Sequence, residues 1–361
     1  MKFINAEDID LDTYQKYLDE LGDYSFFHTK MAMDYYSNST ETENKSFFCF
    51  EQKELIGFVA LGFNKKKGKK TISFDETPCH LPIIKNDIIG RVRKNYLKEI
   101  FSEIYKKMNK LNASYIDFFY HPISFNEKKT IADYSNSFNL LNYFDLETVT
   151  INLNLLDLTE DKKIFEQRLY PKLRQEFRKK KYENLDFKVF NIENSSKVEI
   201  EEQFYKYKEY HRISAGRVTR PKASWDTMLD YLLNSKSSLF SISYNKINLS
   251  YLFCFEHKNF SIGASQVNIS ETKILKEYML RHFLEYKAIN YYRDKKFNFY
   301  EIGKTYFYDK FFKKFEKKHK RVGISKLKFG SDLYPVHFFR FNKKDKCIFD
   351  NKHKYVIENE F

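Results

Sequence analysis

Glycine and proline are scarce in this chain, at 10 and 6 of 361 residues. No glycine falls in the GxxxxGK[ST] spacing that cradles nucleotide phosphates, no H-E-x-x-H pair offers a zinc site, and no Ser-His-Asp order is visible. NTPase, zinc-enzyme and triad-hydrolase readings therefore have little support, and no metal site is expected. Cysteine is rare too. Cys49, Cys79, Cys254 and Cys347 form no CxxC pair and three sit in apolar runs, which reads as buried free thiols in a reducing compartment. No stretch approaches the ~20 apolar residues that span a bilayer. The opening MKFINAEDID is acidic and polar and lacks the apolar core of a signal peptide. These absences read as a cytoplasmic protein with no transmembrane segment.

What is present is enough apolar residue, 42%, to bury real cores, and enough length for two domains rather than one. Phe (37) and Tyr (28) are abundant, but Lys, Asn and Ile are too, a composition that nucleotide bias produces. Aromatic richness therefore carries no functional weight. The net charge of +14 is concentrated. Residues 162–181 carry nine Lys or Arg against two Glu, and residues 304–328 carry ten against two acids, so the remainder is near neutral. Two such patches suit phosphates, tRNA or an anionic membrane surface; solvated charged faces are the bland alternative.

The order of elements runs twice. After helices at 11–21 and 31–37, strands are expected at 46–50, 55–63 and 71–75, with a lysine-rich hairpin tip at 64–70. An amphipathic helix at 93–111 and a strand at 115–121 follow. Later, strands at 238–244, 248–256 and 260–267 form a meander, then come a helix at 273–292 and a strand at 297–303. Meander, helix, strand thus recurs at an offset of roughly 180 residues, which suggests two copies of one α/β domain. INLNLLDL at 151–158 reads as a fresh opening strand, so the boundary falls near 150.

The stretch 205–269 concentrates the chemistry. A helix ends near His211 and Arg212, a turn at Gly216 carries Arg217 and Arg220, and Pro221 breaks the chain. Ser224 is expected to cap a helix over 225–234 that holds the only tryptophan, Trp225. Upstream, Arg174 and Arg178 stand i, i+4 on one helix face, so both forks can meet one phosphate or carboxylate. Trp225 either stacks on a base or sugar or anchors a core. Gln266 either orients an acceptor or makes an edge hydrogen bond. Glu301, on an apolar strand beside Gly303, is the best carboxylate for accepting a proton, unless an ion pair claims it.

Three segments carry a family resemblance: YPKLRQEFRKKKYENLDFKVF at 170–190, YHRISAGRVTRPKASWDTML at 210–229, and YEIGKTYF with GISKLKFGSD across 300–332. With the repeated order of elements, they resemble the FemABX and FemAB-like aminoacyltransferases of the GNAT fold. The resemblance implies an α/β (α+β) chain of two tandem GNAT-like domains, with mixed, mostly antiparallel sheets flanked by helices. Residues 1–150 would form the first, with 332–361 packing back on it, and residues 151–331 the second, carrying the active site. The activity implied is N-acyl transfer to an amine on a peptidoglycan or surface-polysaccharide precursor. That precursor is nucleotide- or lipid-linked, its phosphates met by Arg174, Arg178, Arg217 or Arg220, and peripheral contact with the inner membrane is compatible with it.

The donor implied is aminoacyl-tRNA or an acyl-CoA. NISETKILKEY at 268–278 lacks the glycines of the GNAT pyrophosphate loop, which favours aminoacyl-tRNA. Ser325 stands where the family's Phe-Lys pair has Phe, and Lys326 matches its lysine, placed near the reacting carbonyl. Read as a strand, 324–329 puts Lys326 and Lys328 on one face, as oxyanion stabilisers or as a solvent-facing row. The alternative from another class is a non-catalytic RNA- or anionic-surface-binding protein using segments 162–181 and 304–328.

Overall fold

The computed structural model describes residues 1–119, 123–124, 127–128, 144–269, 277–305, 317–343, 348–349 and 355–356, apart from 23, 41, 67, 68, 75, 76, 235 and 236. The chain divides into two compact units, Met1–Thr150 with Val336–Phe361, and Ile151–Pro335. The tip of the lysine hairpin, Cys347, and most of the stretches 268–278 and 304–316 lie outside the described residues.

In the first unit the helix Leu11–Leu21 starts where the Asp10 side chain accepts the Thr13 N–H. It buries Tyr14, Leu18 and Leu21, an i, i+4, i+7 stripe, and ends at Gly22. Antiparallel strands Phe47–Glu51 and Glu54–Val59 are followed by the pair Gly62–Lys66 and Lys69–Ile72. The helix Gly90–Leu111 buries Leu97, Ile100, Phe101, Ile104, Tyr105 and Met108, each contributing about 1.5–3 kcal/mol by burial at most. It stops at Asn112 in the left-handed conformation, one that Asn tolerates. The strand Tyr115–Phe119 then pairs parallel with Lys69–Ile72 through Ile72 and Ile116. On its other side, Phe338 pairs antiparallel with Phe119 and Asn342 with Tyr115. A two-bond ion pair at 2.8 Å, Arg340 to Asp117, fixes that register.

The second unit repeats the order. Strands Asp186–Phe190, Ser237–Tyr244, Ile247–His257 and Phe260–Asn268 run antiparallel in sequence. After the helix Leu280–Asp294, the strand Phe299–Thr305 returns parallel to Phe260–Asn268. Its other edge pairs antiparallel with Asn152–Asp157 of the strand Phe144–Asp157. Alternation along the strands sends Phe240, Ile242, Leu252 and Cys254 into one core with Leu284, Ala288, Ile289 and Tyr292 of the helix. The opposite faces meet Tyr207 and Tyr231, from the helices Lys197–Ala215 and Lys222–Leu233. With both faces covered, Ser237–Tyr244 is buried nearly throughout.

Two local expectations are corrected. The helix holding Trp225 starts at Lys222, with Pro221 at its N-cap, so Ser224 lies buried inside the first turn rather than capping it. Proline lacks an N–H and its fixed φ suits a helix start, so it ends the preceding segment and opens the next at once. Lys326 lies in the last turn of a helix, Lys317–Leu327, not on a strand, so Lys326 and Lys328 are not strand neighbours on one face. The alternation of Leu327 and Phe329 that suggested a strand straddles the helix end, which turns into Gly330 at φ +68°.

The parallel pairing in the second unit is short. It joins Phe260 to Phe299, Ser261 to Tyr300 and Ile262 to Glu301, and goes no further. Beyond it, a bulge on the other edge leaves Ile302 unmatched between the pairs Leu155–Glu301 and Asn154–Gly303. Gly303 sits at φ +112°, and a Cβ there would stand 2.6 Å from the Lys326 Nζ. The backbone therefore favours glycine, and a side chain here would push the flexible Lys326 end aside. Gly303→Ala is expected to lower unfolding stability by roughly 1–3 kcal/mol and to displace Lys326. Chemical denaturation reads the first effect and a crystal structure of the variant the second.

Candidate active site

The two strands that part after Ile262 and Glu301 open a cavity of about 140 Å³. Gly263–Gln266 line it from one strand and Ile302 from the other. Arg281, His282 and Glu285 enter from the helix Leu280–Asp294. Val322, Ser325, Lys326 and Phe329 complete it, spaced i, i+3, i+4, i+7 along the C-terminal helix and its end. A cleft at the carboxyl ends of parallel strands is where open α/β sheets take ligands.

Lys326 is the half-buried cation of this cavity. Its Nζ donates to the Lys304 carbonyl at 3.2 Å and occupies the space that a side chain at 303 would fill. Burial pushes its pKa down to about 8, with the charges of Glu301 and Glu285 opposing that fall and those of Arg281 and Lys304 adding to it. Glu285 is 8% exposed and receives the Tyr300 hydroxyl at 2.5 Å. Burial holds its carboxyl above the usual range, offset by the Tyr300 bond and the Arg281 and Lys326 charges. Gly263 makes this approach possible, since a Cβ there would stand 2.8 Å from the Tyr300 hydroxyl and 3.0 Å from Glu285. His282 Nε2 is 2.7 Å from Ser325 Oγ, and its ring stacks on Phe329. Burial first, then Lys328 and Arg281, holds His282 down to about 4, so it is neutral at pH 7. Among the described residues no three His, Cys, Asp or Glu side chains converge to hold a metal ion.

Several residues singled out in the sequence meet here. Gln266 lines the cavity and exchanges two hydrogen bonds with Arg281, donating to its carbonyl and accepting from its Nε. Arg220 donates to Ser265 Oγ at 2.9 Å, and His211 Nε2 lies 3.1 Å from the same oxygen. Burial and the Arg220 charge push His211 down to about 4. Arg220 also lies over the Trp225 ring at 5.0 Å. Trp225 itself is 3% exposed and packed by Phe204, Tyr207 and His211, as a core anchor would be. Glu301 is buried beside Ile302 but stands outside the cavity lining, where its charge supports Lys304 and Lys326.

The remaining arginines lie elsewhere. Arg212 is exposed and paired with Glu209 one turn back, and Arg217 is exposed past Gly216. Arg174 donates to the Gln167 carbonyl, while Arg178 sits at the C-cap of the short helix Pro171–Phe177. Residues 167–171 form a groove of about 520 Å³ with Ile324, Leu327 and Lys328; Arg174 reaches its rim through Gln167, and neither Arg174 nor Arg178 lines it. Glu285 and His282 were not singled out from the sequence, and Ser325 was noted only as a departure from the motif. A signal existed for the first: Glu285 stands at helical spacing with Tyr278, Ala288 and Tyr292, a carboxylate on an otherwise apolar stripe.

No family model matches the chain, and no curated protein matches it in sequence. Solved structures do match in fold. FemX superposes with a TM-score of 0.63 at 11% identity, covering 94% of this chain and 97% of that one. The C-terminal domain (DUF2156) of a putative lysylphosphatidylglycerol synthetase from Agrobacterium fabrum gives 0.56 at 10%, covering 92% of each. A tandem GNAT protein from the clavulanic acid biosynthesis pathway gives 0.51 at 9%, covering 95% and 98%. This chain therefore has the FemAB-like fold, two GNAT-like units in one polypeptide.

Proposed function

We propose that the protein is an N-acyltransferase that moves an acyl or aminoacyl group onto an amine of an anionic, lipid- or nucleotide-linked envelope precursor, and that the cavity of the second unit is its active site. The observation that carries this reading is Lys326, an ammonium held at the mouth of splayed parallel strands with a buried carboxylate on the facing helix. When an amine attacks an ester or thioester carbonyl, negative charge grows on the carbonyl oxygen. A fixed cation there contributes ~3–4 kcal/mol to the transition state, and holding the two reactants together contributes up to roughly 7–11. The charges of Glu301 and Glu285 favour the protonated form of Lys326. Similarity in fold to a putative lysylphosphatidylglycerol synthetase supports an anionic, lipid-linked acceptor. Aminoacyl-tRNA and acyl-CoA are the donors to compare.

The basic segment 162–181 supports acceptor binding better than free-standing RNA or surface binding. Arg168 is tied to Glu160 and Asp332, and Lys179 and Lys181 to Glu176, so three of its charges are already committed. Salt titration separates the readings. Non-specific nucleic-acid binding weakens by roughly 0.7–0.9 log units per log unit of salt for each phosphate neutralised, whereas a pocketed acceptor holds better.

Three outcomes follow for purified full-length protein offered each donor with a phosphate-linked amine. Lys326→Met is expected to cut kcat by about two or more orders of magnitude while its melting temperature holds or rises, since a cation that burial disfavours is removed. Near-normal kcat in a folded variant removes Lys326 from the site. In the wild type the Lys326 charge is present below about pH 8 and lost above it, so its contribution to kcat should fade as pH rises through 8, a limb missing from Lys326→Met. The groups facing that titration are Glu301, Glu285, Arg281 and Lys304. Replacing Arg174 and Arg178 with Ala should raise acceptor KM more than it lowers kcat, and equal losses of kcat and kcat/KM would count against their binding role.

A further inference from the structure

Two hydroxyl–imidazole pairs stand at this cavity, and they are not equivalent. Ser265 Oγ takes a hydrogen bond from Arg220 at 2.9 Å besides its contact with His211. A guanidinium bond withdraws charge from the oxygen and occupies a lone pair, which suits a positioning hydroxyl. Ser325 Oγ is different. Its hydrogen-bond partner is His282 Nε2, at 2.7 Å, and both side chains line the cavity. Lys326, the next residue, lines the same cavity. A nucleophile within hydrogen-bond reach of an imidazole, beside a cation that can face an oxyanion, meets the geometric requirements of covalent acyl transfer.

We propose that Ser325 and His282 form a nucleophile–base pair and that acyl transfer passes through an acyl-Ser325 intermediate. The proposal rests on reading the cavity as an acyl-transfer site and adds a two-step route to it. In the first step Ser325 Oγ bonds to the carbonyl carbon of the donor ester or thioester while its proton moves to His282 Nε2. Lys326 faces the oxyanion. The intermediate collapses by breaking the bond to the leaving oxygen or sulfur, which departs with the proton from His282. In the second step the amine nitrogen bonds to the same carbon and gives its proton to His282. The bond to Oγ then breaks, and the proton returns to Ser325. Atoms and charge balance over both steps without a further reactant. The role needs the tautomer with its hydrogen on Nδ1, and because burial disfavours the imidazolium, the charge His282 gains in each step is short-lived.

The test uses the full chain with p-nitrophenyl acetate as acyl probe and hydroxylamine as a small amine acceptor. The expected result is a burst of p-nitrophenolate equal to the protein concentration, with one acetyl group on Ser325 by peptide mass mapping. Hydroxylamine should clear that ester and form acetohydroxamate. Ser325→Ala should abolish burst and adduct, Ser325→Cys should restore an adduct as a thioester, and His282→Ala should slow the burst by roughly 10²–10⁴-fold. An adduct that persists in Ser325→Ala, or that resists hydroxylamine as an amide on Lys326, overturns the proposal. So does amine acetylation by Ser325→Ala at the wild-type rate, which leaves the acyltransferase reading standing. Acylation of Ser325 with transfer only to water leaves the covalent step standing and removes the amine-transfer reading.

Discussion

The candidate site depends on one placement: the Lys326 ammonium lies against backbone where residue 303 has no side chain. The strand bulge supplies that gap, the Lys304 carbonyl supplies an acceptor, and the parting of the parallel strands supplies room for a substrate. Burial works against the charge and outweighs the groups that favour it. Glu285 and Glu301 offset part of this from two different elements. Such a cation is disfavoured in the resting protein, and the proposed function gives it a use where negative charge develops.

The sheet and helices are there to hold this arrangement. The core between the meander and the helix Leu280–Asp294 fixes Glu285 through Tyr300, itself buried against Cys254. The helices on the other face bring His211, Arg220 and Trp225 to Ser265. A rigid aromatic layer of Phe204, Tyr207 and Trp225 sets the distance of Arg220 from the cavity wall.

Much of the fold was legible because its signals are local. The helix expected at 11–21 is Leu11–Leu21, and the meander expected from 238 to 267 is found within a residue or two at every end. Periodicity and turn residues fix such elements without tertiary information. Lys326 was found by likeness to a motif, yet its setting was misread, because alternation over a few residues at a helix end mimics a strand. Glu285 and His282 went unnoticed, and Ser325 was marked only as a departure from a motif, because their roles are made by contacts across 15 and 43 residues of chain. Arg212 and Arg217 looked like site residues on charge and spacing alone, and the fold leaves them exposed. Charge clusters are visible in a sequence, but the direction a side chain takes from a turn is not.

The most direct measurement is mass spectrometry of the envelope-precursor pool from cells that lack the protein, restored with either the wild-type chain or Lys326→Met. The expected result is a precursor heavier by one acyl or aminoacyl group with the wild type, absent with the variant at equal protein level. Identical pools in the two strains would contradict an acyl-transfer site built on Lys326.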